Sequence, residues 1–317
     1  MTDIKTYTVS EPYLKIDCGL GEAPFWEEKT NTLRFVDIVK SKVHTIDLNE
    51  GPSSHKVLAD LDISIGCTAD IEDNDDDFAF GGKHGYGILN RKTAEYKYIK
   101  KYWMEEEIND GKHGGKENRM RGNDGAVDSQ GRFWVSTMND PLVTEPVDEG
   151  VLFRLDSDMT LHRMVEGLST PNGITWSPDD KTMYFADGPT KNIFAFDYDA
   201  ATGNISNKRV FFRVEDEGAV PDGHCIDEEG YMWTAVFGAG KVVRISPEGK
   251  AVAEIKLPTR SISCPAFAGE DLFITSAEEE EPDKYPESAK LQGSLFKCSV
   301  GIKGRKLYRF KYHGDKV

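Results

Sequence analysis

Positive charge is in short supply in this chain. Only 39 Lys and Arg stand against 55 Asp and Glu in 317 residues, a formal charge of −16 at pH 7. Binding a phosphate backbone needs clustered positive charge, so nucleic acid is excluded as a partner. The acidic excess serves solubility first and the handling of cations second. Long apolar runs are missing as well. No 18-residue apolar stretch occurs, and the first 30 residues hold no apolar segment of a signal peptide. The expectation is a cytoplasmic protein that neither spans a membrane nor leaves by a standard secretion signal. Cysteine is sparse: Cys18, Cys67, Cys225, Cys264 and Cys298 are odd in number and without a Cys-x-x-Cys spacing. They are expected as reduced thiols, and a structural zinc site is not expected.

Several catalytic signatures are absent too. There is no Gly-x-Ser-x-Gly elbow. Gly19-Leu20-Gly21 and Gly81-Gly82-Lys83-His84-Gly85 match neither a phosphate loop nor a dinucleotide fingerprint. Asp73, Asp75 and Asp77 imitate a calcium loop, but Phe78 stands where its glycine is needed, so a solvated hairpin turn is expected. No 3.6-residue amphipathic pattern persists beyond two turns. Of the scattered histidines His84, His113, His162 and His224, only His224, two residues from Asp222, is in a position to approach a site.

What the chain does have is a repeat. A polar turn followed by an apolar, strand-like run recurs at Leu33, Phe78, Phe133, Met183, Met232 and Leu272, with spacings of 45, 55, 50, 49 and 40 residues. A second strand follows in register, as at Val43–Asp47, Leu152–Asp156, Ile193–Asp197 and Val242–Ser246. A third alternating run leads to the next repeat, as at Lys208–Arg213. Period-2 alternation with Gly, Asp and Asn turns at this interval predicts an all-β, six-bladed β-propeller with a central channel, one domain over residues 1–317. Trp26, Trp134, Trp176, Tyr184 and Trp233 fall at repeat positions and are expected to pack blade against blade. Three polar segments break the period: Lys100 to Met120, Asn139 to Gly150 and Glu278 to Lys290. Long loops on such a scaffold are candidate lids, and the first directly precedes Arg121.

Counting nine to eleven residues back from each repeat reaches the start of the innermost strand. The slots hold Glu22, Cys67, Asn123, Asn172, Asp222 and Ser263. Glu, Asp and Asn make up 67 of the 317 residues, so four such residues in six slots exceed the one or two expected by chance. Equivalent positions on successive blades converge on one axis. Two carboxylates and two amides meeting there suit a divalent cation that prefers oxygen, and the absence of His argues against an imidazole-built zinc site.

The segments carrying these slots bear a resemblance. Gly21-Glu22-Ala23-Pro24-Phe25-Trp26, the Arg-x-Asn-Asp-Gly-x-x-Asp-x-x-Gly-Arg run from Arg121 to Thr137-Met138, Pro171-Asn172-Gly173-Ile174 and Pro221-Asp222-Gly223 through Trp233 resemble the senescence marker protein/gluconolactonase/regucalcin family, over Leu14 to Tyr312. The resemblance implies a six-bladed propeller with one divalent ion in the channel, hydrolysing sugar-acid lactones. Calcium comes first as the ion, with zinc, magnesium, manganese and iron as alternatives. Carried over, the metal ligands fall on Glu22, Asn172 and Asp222, and the substrate-binding pair on Arg121 and Asn123. Asn123 also remains a candidate metal ligand, as in related phosphotriesterase-type propellers. Animal members place a sugar-binding glutamate where this chain has Pro141, and Asp140 and Glu145 are the candidates to replace it.

Asp222 is expected to serve as general base as well as ligand, with His224 or Asp124 as the next candidates. Two rival functions stay open: a phosphotriesterase or aryl-esterase on the same centre, and a non-catalytic calcium-binding propeller. The partner is a small sugar lactone, and a monomer or dimer is expected.

Overall fold

The structure is a computed structural model and describes residues 4–112 and 114–314. His113 and the ends of the 1–317 span lie outside the described residues. Six antiparallel sheets follow one another along the chain. The first contains Gly21–Glu27, Thr32–Asp37, Lys42–Asp47 and Lys56–Asp60. The second contains Ile65–Ile71, Asn74–Gly82, Gly85–Asn90 and Tyr96–Lys101. Met120–Val127, Phe133–Asn139, Gly150–Leu155 and Leu161–Leu168 make the third. Pro171–Trp176, Thr182–Asp187, Asn192–Asp199 and Asn204–Arg213 make the fourth. The fifth is Val220–Ile226, Met232–Phe237, Lys241–Ile245 and Ala251–Lys256, with Lys5–Thr8 added in parallel at its outer edge. The sixth has Ile262–Ala268, Asp271–Ser276 and Phe296–Ser299. The N-terminal segment completes it: Leu14 and Leu295 exchange both backbone hydrogen bonds at 3.0 Å, and Cys18 N–H donates to the Gly293 carbonyl at 3.1 Å. The fold is the expected six-bladed β-propeller, its ring closed by pairing the start of the chain with its last strands. No helix among the described residues is long and apolar enough to cross a membrane.

The repeated apolar phrase is the second strand of every blade, and alternation along it fills both neighbouring interfaces. In the third blade Phe133 and Val135 pack toward blade 2, Phe133 edge-on to Tyr86 at 5.5 Å. Trp134 between them packs toward blade 4, against Trp176 at 5.8 Å. Among the described residues the buried apolar side chains gather into clusters lying between consecutive blades, including blade 6 with blade 1. Trp134, Trp176, Trp233 and Tyr184 belong to these interfaces. Trp26 differs. It is half-buried, and its indole N–H donates to Asn31 Oδ1 at 3.0 Å in its own hairpin.

Two of the motif carboxylates have structural work. Asp227 Oδ2 accepts from Trp233 Nε1 (2.9 Å) and from Arg244 Nε and Nη2 (2.9 and 2.7 Å), while Oδ1 takes the Tyr231 N–H (2.9 Å). Asp128 does the same for Trp134, Arg132 and Tyr198. Each pins the turn joining the first two strands of its blade. These turns share one face of the ring, and the C-terminal tail runs across it. Arg305 Nη1 donates to the Trp176 and Ser177 carbonyls (2.9 and 2.7 Å), and Phe310 N–H to Asp70 O (2.8 Å). All three period-breaking segments lie on the opposite face, where the innermost strands begin.

Asp227→Ala is expected to leave the Trp233 indole N–H without its acceptor and Arg244 with Glu229 alone, lowering unfolding stability by roughly 3 kcal/mol. The specific activity of the folded fraction should stay unchanged. Denaturant unfolding beside activity per folded molecule checks this, and a stability loss near zero would refute the pinning role.

Candidate active site and metal centre at the propeller axis

Six strands crowding one axis cannot all keep regular pairing. Each innermost strand slips register against its second strand at the same depth: Glu22 to Phe25, Ile65 to Cys67, Gly122 to Gly125, Asn172 to Ile174, Pro221 to His224 and Ile262 to Pro265. A bulge frees a residue from the ladder and re-aims side chains. The six slots counted in the sequence sit at or inside these bulges. Neighbouring strands then approach so closely that only glycine fits beside them. A Cβ on Gly173, at φ +39°, would lie 2.1 Å from His224 Nδ1, and one on Gly66 would lie 2.2 Å from the Asn123 carbonyl oxygen.

Glu22, Arg121, Asn123, Asn172 and Asp222 are all buried at this end of the strands. A chain of hydrogen bonds orders three of them. Arg121 Nη1 donates to Asn123 Oδ1 (2.6 Å), and Asn123 Nδ2 donates to Asn172 Oδ1 and to the Pro171 carbonyl (both 2.8 Å). Asn123 thus turns its N–H groups toward Asn172 and its oxygen toward Arg121. Glu22 Oε2 accepts the Ala23 N–H at 2.8 Å, with Ala23 held at φ +47°. Asp124, absent from the counted slots, accepts the Gly125 N–H (2.6 Å) and, from the next blade, the Gly173 N–H (2.7 Å). The two remaining slots offer no free donor. Ser263 Oγ is taken up by Gly21 O (2.6 Å) and Thr275 Oγ1 (2.9 Å), and burial pushes the Cys67 thiol up.

Electrostatics join these groups. Burial, then the charges of Asp222 and Asp124, push Glu22 well above the usual carboxylate range, against the pull of the Ala23 N–H and Arg121. Burial and Asp124 raise Asp222 likewise. Burial lifts Asp124 to about 6, opposed by its two backbone donors. Burial also weakens the charge of Arg121, which Asp140, Glu22 and Asp222 favour. Buried Glu22 and Asp222 facing one guanidinium, with half-buried Asp124 beside them, leave negative charge uncompensated, which a protein tolerates only with protons or a cation. Hard oxygens on that group fit a divalent ion of the calcium type.

Around Arg121 the insertion and its neighbours form a collar. Two short helices, Glu105–Ile108 and Lys116–Arg119, occupy the insertion, with Tyr102 and Trp103 buried at its start. Arg119 is tied to Asp110 (2.7 Å) and Glu149 (2.9 Å), and Asn139 Nδ2 also reaches Glu149 (2.9 Å). The first two irregular segments are therefore fastened together beside the Met120–Asn139 pair. Pro141 and Glu145 are exposed, whereas Asp140 is buried and paired with Lys83 at 2.8 Å. On the far side of the bulges lies a cavity of about 160 Å³, lined by Asp124, Thr68, Ile174, His224 and Cys264 and floored by Arg305–Tyr308 of the tail. Burial lowers His224 to about 3, against a backbone contact with Tyr184, so the ring is neutral.

Sequence counting missed Asp124 and Lys83 as site groups. Asp124 sits one residue from a counted slot, inside a bulge that simple alternation does not foresee. Lys83 lies in a glycine-rich turn that carried no motif of its own.

Comparison with known proteins matches residues 20–278 to the family described as SMP-30/Gluconolactonase/LRE-like region. The chain belongs to that family. It is 33% identical to regucalcin of Xenopus laevis over 306 residues, covering 92% of this chain and 96% of the relative. A crystal structure titled as a calcium-binding protein, regucalcin, from Agrobacterium tumefaciens superposes with a TM-score of 0.84 at 23% identity, covering 98% of this chain and 99% of that one. One of a Xanthomonas campestris gluconolactonase gives 0.70 at 22% identity, covering 93% and 89%. At those identities the two structures speak for the fold alone.

The raised carboxylates set the sign of a pH effect. Without a cation the folded chain keeps protons that the unfolded chain releases, so chelated protein should lose stability as pH rises from the ordinary Asp value of 3.8 through about 6. Calcium should restore it, so the Tm gap between calcium-loaded and chelated protein should widen over that range. A gap that stays flat between about pH 5 and 8 would argue against a cation on these carboxylates.

Proposed function

We propose that the protein is a metal-dependent lactonase that opens sugar-acid lactones to the free acids. The observation that carries this reading is the buried pair Glu22 and Asp222 facing Arg121 at the axis, with half-buried Asp124 beside them, beneath a mouth bearing the Lys83–Asp140 pair. The family description, which includes gluconolactonase, supports it. Glu22, Asn172 and Asp222 would hold a divalent cation, which when bound would supply Lewis-acid polarisation of the lactone carbonyl. We favour calcium, with zinc, magnesium, manganese or iron as alternatives.

The chain's own groups supply the rest. Asp222 takes the proton of the attacking water at a carboxylate oxygen and returns it to the ring oxygen as the ring C–O bond breaks. Burial and Asp124 raise its pKa in the ion-free chain, and a bound cation would pull it back toward the ionised form a base needs. Arg121, steadied by Asn123, donates to the ester and ring oxygens and orders the substrate before attack. Asn123 also orients Asn172, and we assign it that role ahead of direct metal ligation. At the mouth, Asp140 stands in for the glutamate that Pro141 replaces, offering an acceptor beside the Lys83 donor to a sugar hydroxyl pair. The collar built by the Lys100–Met120 insertion limits which ring sizes reach Arg121. All five cysteines are free, which supports a reducing, cytoplasmic setting, and a monomer or dimer suffices because one chain carries the whole site.

Purified protein supplemented with calcium or zinc should hydrolyse some five- or six-carbon aldonolactones with a higher kcat/KM than paraoxon-type or aryl esters. The reverse order would assign a phosphotriesterase, and no turnover with retained calcium binding would assign a binding protein. Asp222→Asn should keep one ligating oxygen and much of the bound metal, yet lower kcat/KM by about 10²- to 10⁴-fold. Near-normal turnover in that variant would move the base to Asp124 or His224. Asp140→Ala should raise KM for lactones bearing the full set of hydroxyls while leaving aryl-ester turnover unchanged. An equal loss on both substrate classes would deny it a sugar contact.

A further inference from the structure

A second cluster of metal-competent side chains lies away from the axis, where blade 6 meets blade 1. Cys18, Asp37 and His44 are only 2%, 1% and 4% exposed, and their ligand atoms all lie within 4.8 Å of one another. Strand pairing explains the meeting. Phe35 stands opposite His44 across two antiparallel strands, and Asp37 shares the face of Phe35 two residues on. Cys18 reaches that face at the end of the ring-closing N-terminal segment, held by the Gly293 carbonyl.

The surroundings of His44 are those of a ligand. Its ring stacks on Phe35 with centroids 4.9 Å apart, and Nδ1 lies 2.9 Å from His55 Nε2. With Nδ1 donating to His55, the lone pair falls on Nε2, and that nitrogen is buried with no hydrogen-bond partner. A second ring nitrogen fixed by a hydrogen bond is the usual support of a metal-bound histidine, and an orphaned buried nitrogen calls for a reason. Asp37 receives backbone N–H groups from Gly19 and Lys40 (2.9 and 3.0 Å), which fix its carboxylate in place. Burial and the neighbouring Asp37 hold the Cys18 thiol protonated while no cation is present. One thiolate with one carboxylate balances a divalent ion, so the buried site becomes neutral when filled. Ligands of a tetrahedral zinc stand roughly 3.5 Å apart, a spacing within reach of this cluster.

We propose that Cys18, Asp37 and His44 hold a borderline-soft divalent metal of the zinc class, separate from the axis, which ties the ring-closing N-terminal segment to blade 1. Binding expels the Cys18 proton to solvent. The mixed sulfur, nitrogen and oxygen set distinguishes this site from the all-oxygen donors of the channel. The proposal departs from the expectation of no structural zinc site, since its ligands would be joined by strand pairing and would need no Cys-x-x-Cys spacing.

Full-length protein, freed of metal and given excess calcium to fill the axis, should be titrated with cobalt(II). One equivalent should bind with a thiolate-to-cobalt charge-transfer absorption, be displaced by zinc, and raise Tm. Glu22→Gln should keep this absorption, which separates the outcome from the fate of the channel reading. Cys18→Ala should abolish it. His55→Phe, which keeps the stacking and removes the acceptor, should weaken binding about 10- to 100-fold. Absence of the absorption in the unmodified chain, or its survival in Cys18→Ala, overturns the proposal. Should Cys18→Ala fail to fold, an unchanged affinity in His55→Phe overturns it equally.

Discussion

Closing six twisted sheets around one axis forces their innermost strands closer together than regular pairing permits, and the structure yields at one depth in every blade. The register slips from Glu22 in the first blade to Ile262–Pro265 in the sixth are that yielding. They release side chains from the ladder and bring buried Glu22, Asn172 and Asp222 together with half-buried Asp124. Glycines such as Gly66 and Gly173 permit the approach, because any Cβ there would strike the next blade. The site is thus a consequence of ring closure.

Concentrated negative charge has a cost, and the molecule confines it. Burial raises all three axial carboxylates, while Arg121 and backbone N–H groups offset only part of the penalty. Asp128 and Asp227, by contrast, each meet an arginine, an indole and backbone donors. The contrast separates acids that hold turns from acids that face one another at the axis, although both kinds lie in the same sequence motifs. It also divides the two faces of the ring. Turn-pinning acids and the C-terminal tail lie on one face, and the irregular loops with Arg121, Lys83 and Asp140 on the other.

Much of this was legible in the chain. The interval from Leu33 to Leu272 marks every second strand, because a strand buried on both faces reads as a continuous apolar phrase. Counting back from it reached Glu22, Asn172 and Asp222, since each blade spends a similar number of residues between its first two strands. The count passed over Asp124, because a bulge breaks the alternation on which counting relies. It had no access to Lys83, whose meeting with Asp140 joins residues 57 apart in neighbouring blades.

Local pattern by itself determined the blade number, the strand order within each blade and the depth at which oxygen donors gather, because these depend on period and alternation along the chain. Tertiary structure alone decided which acids pin turns and which face the axis. It also decided that Asp140 and not Glu145 reaches the mouth, and that Cys18 meets Asp37 and His44 at the ring seam. Those outcomes rest on contacts between strands of different register or different blades, and a distance across a closed ring is not written in sequence spacing.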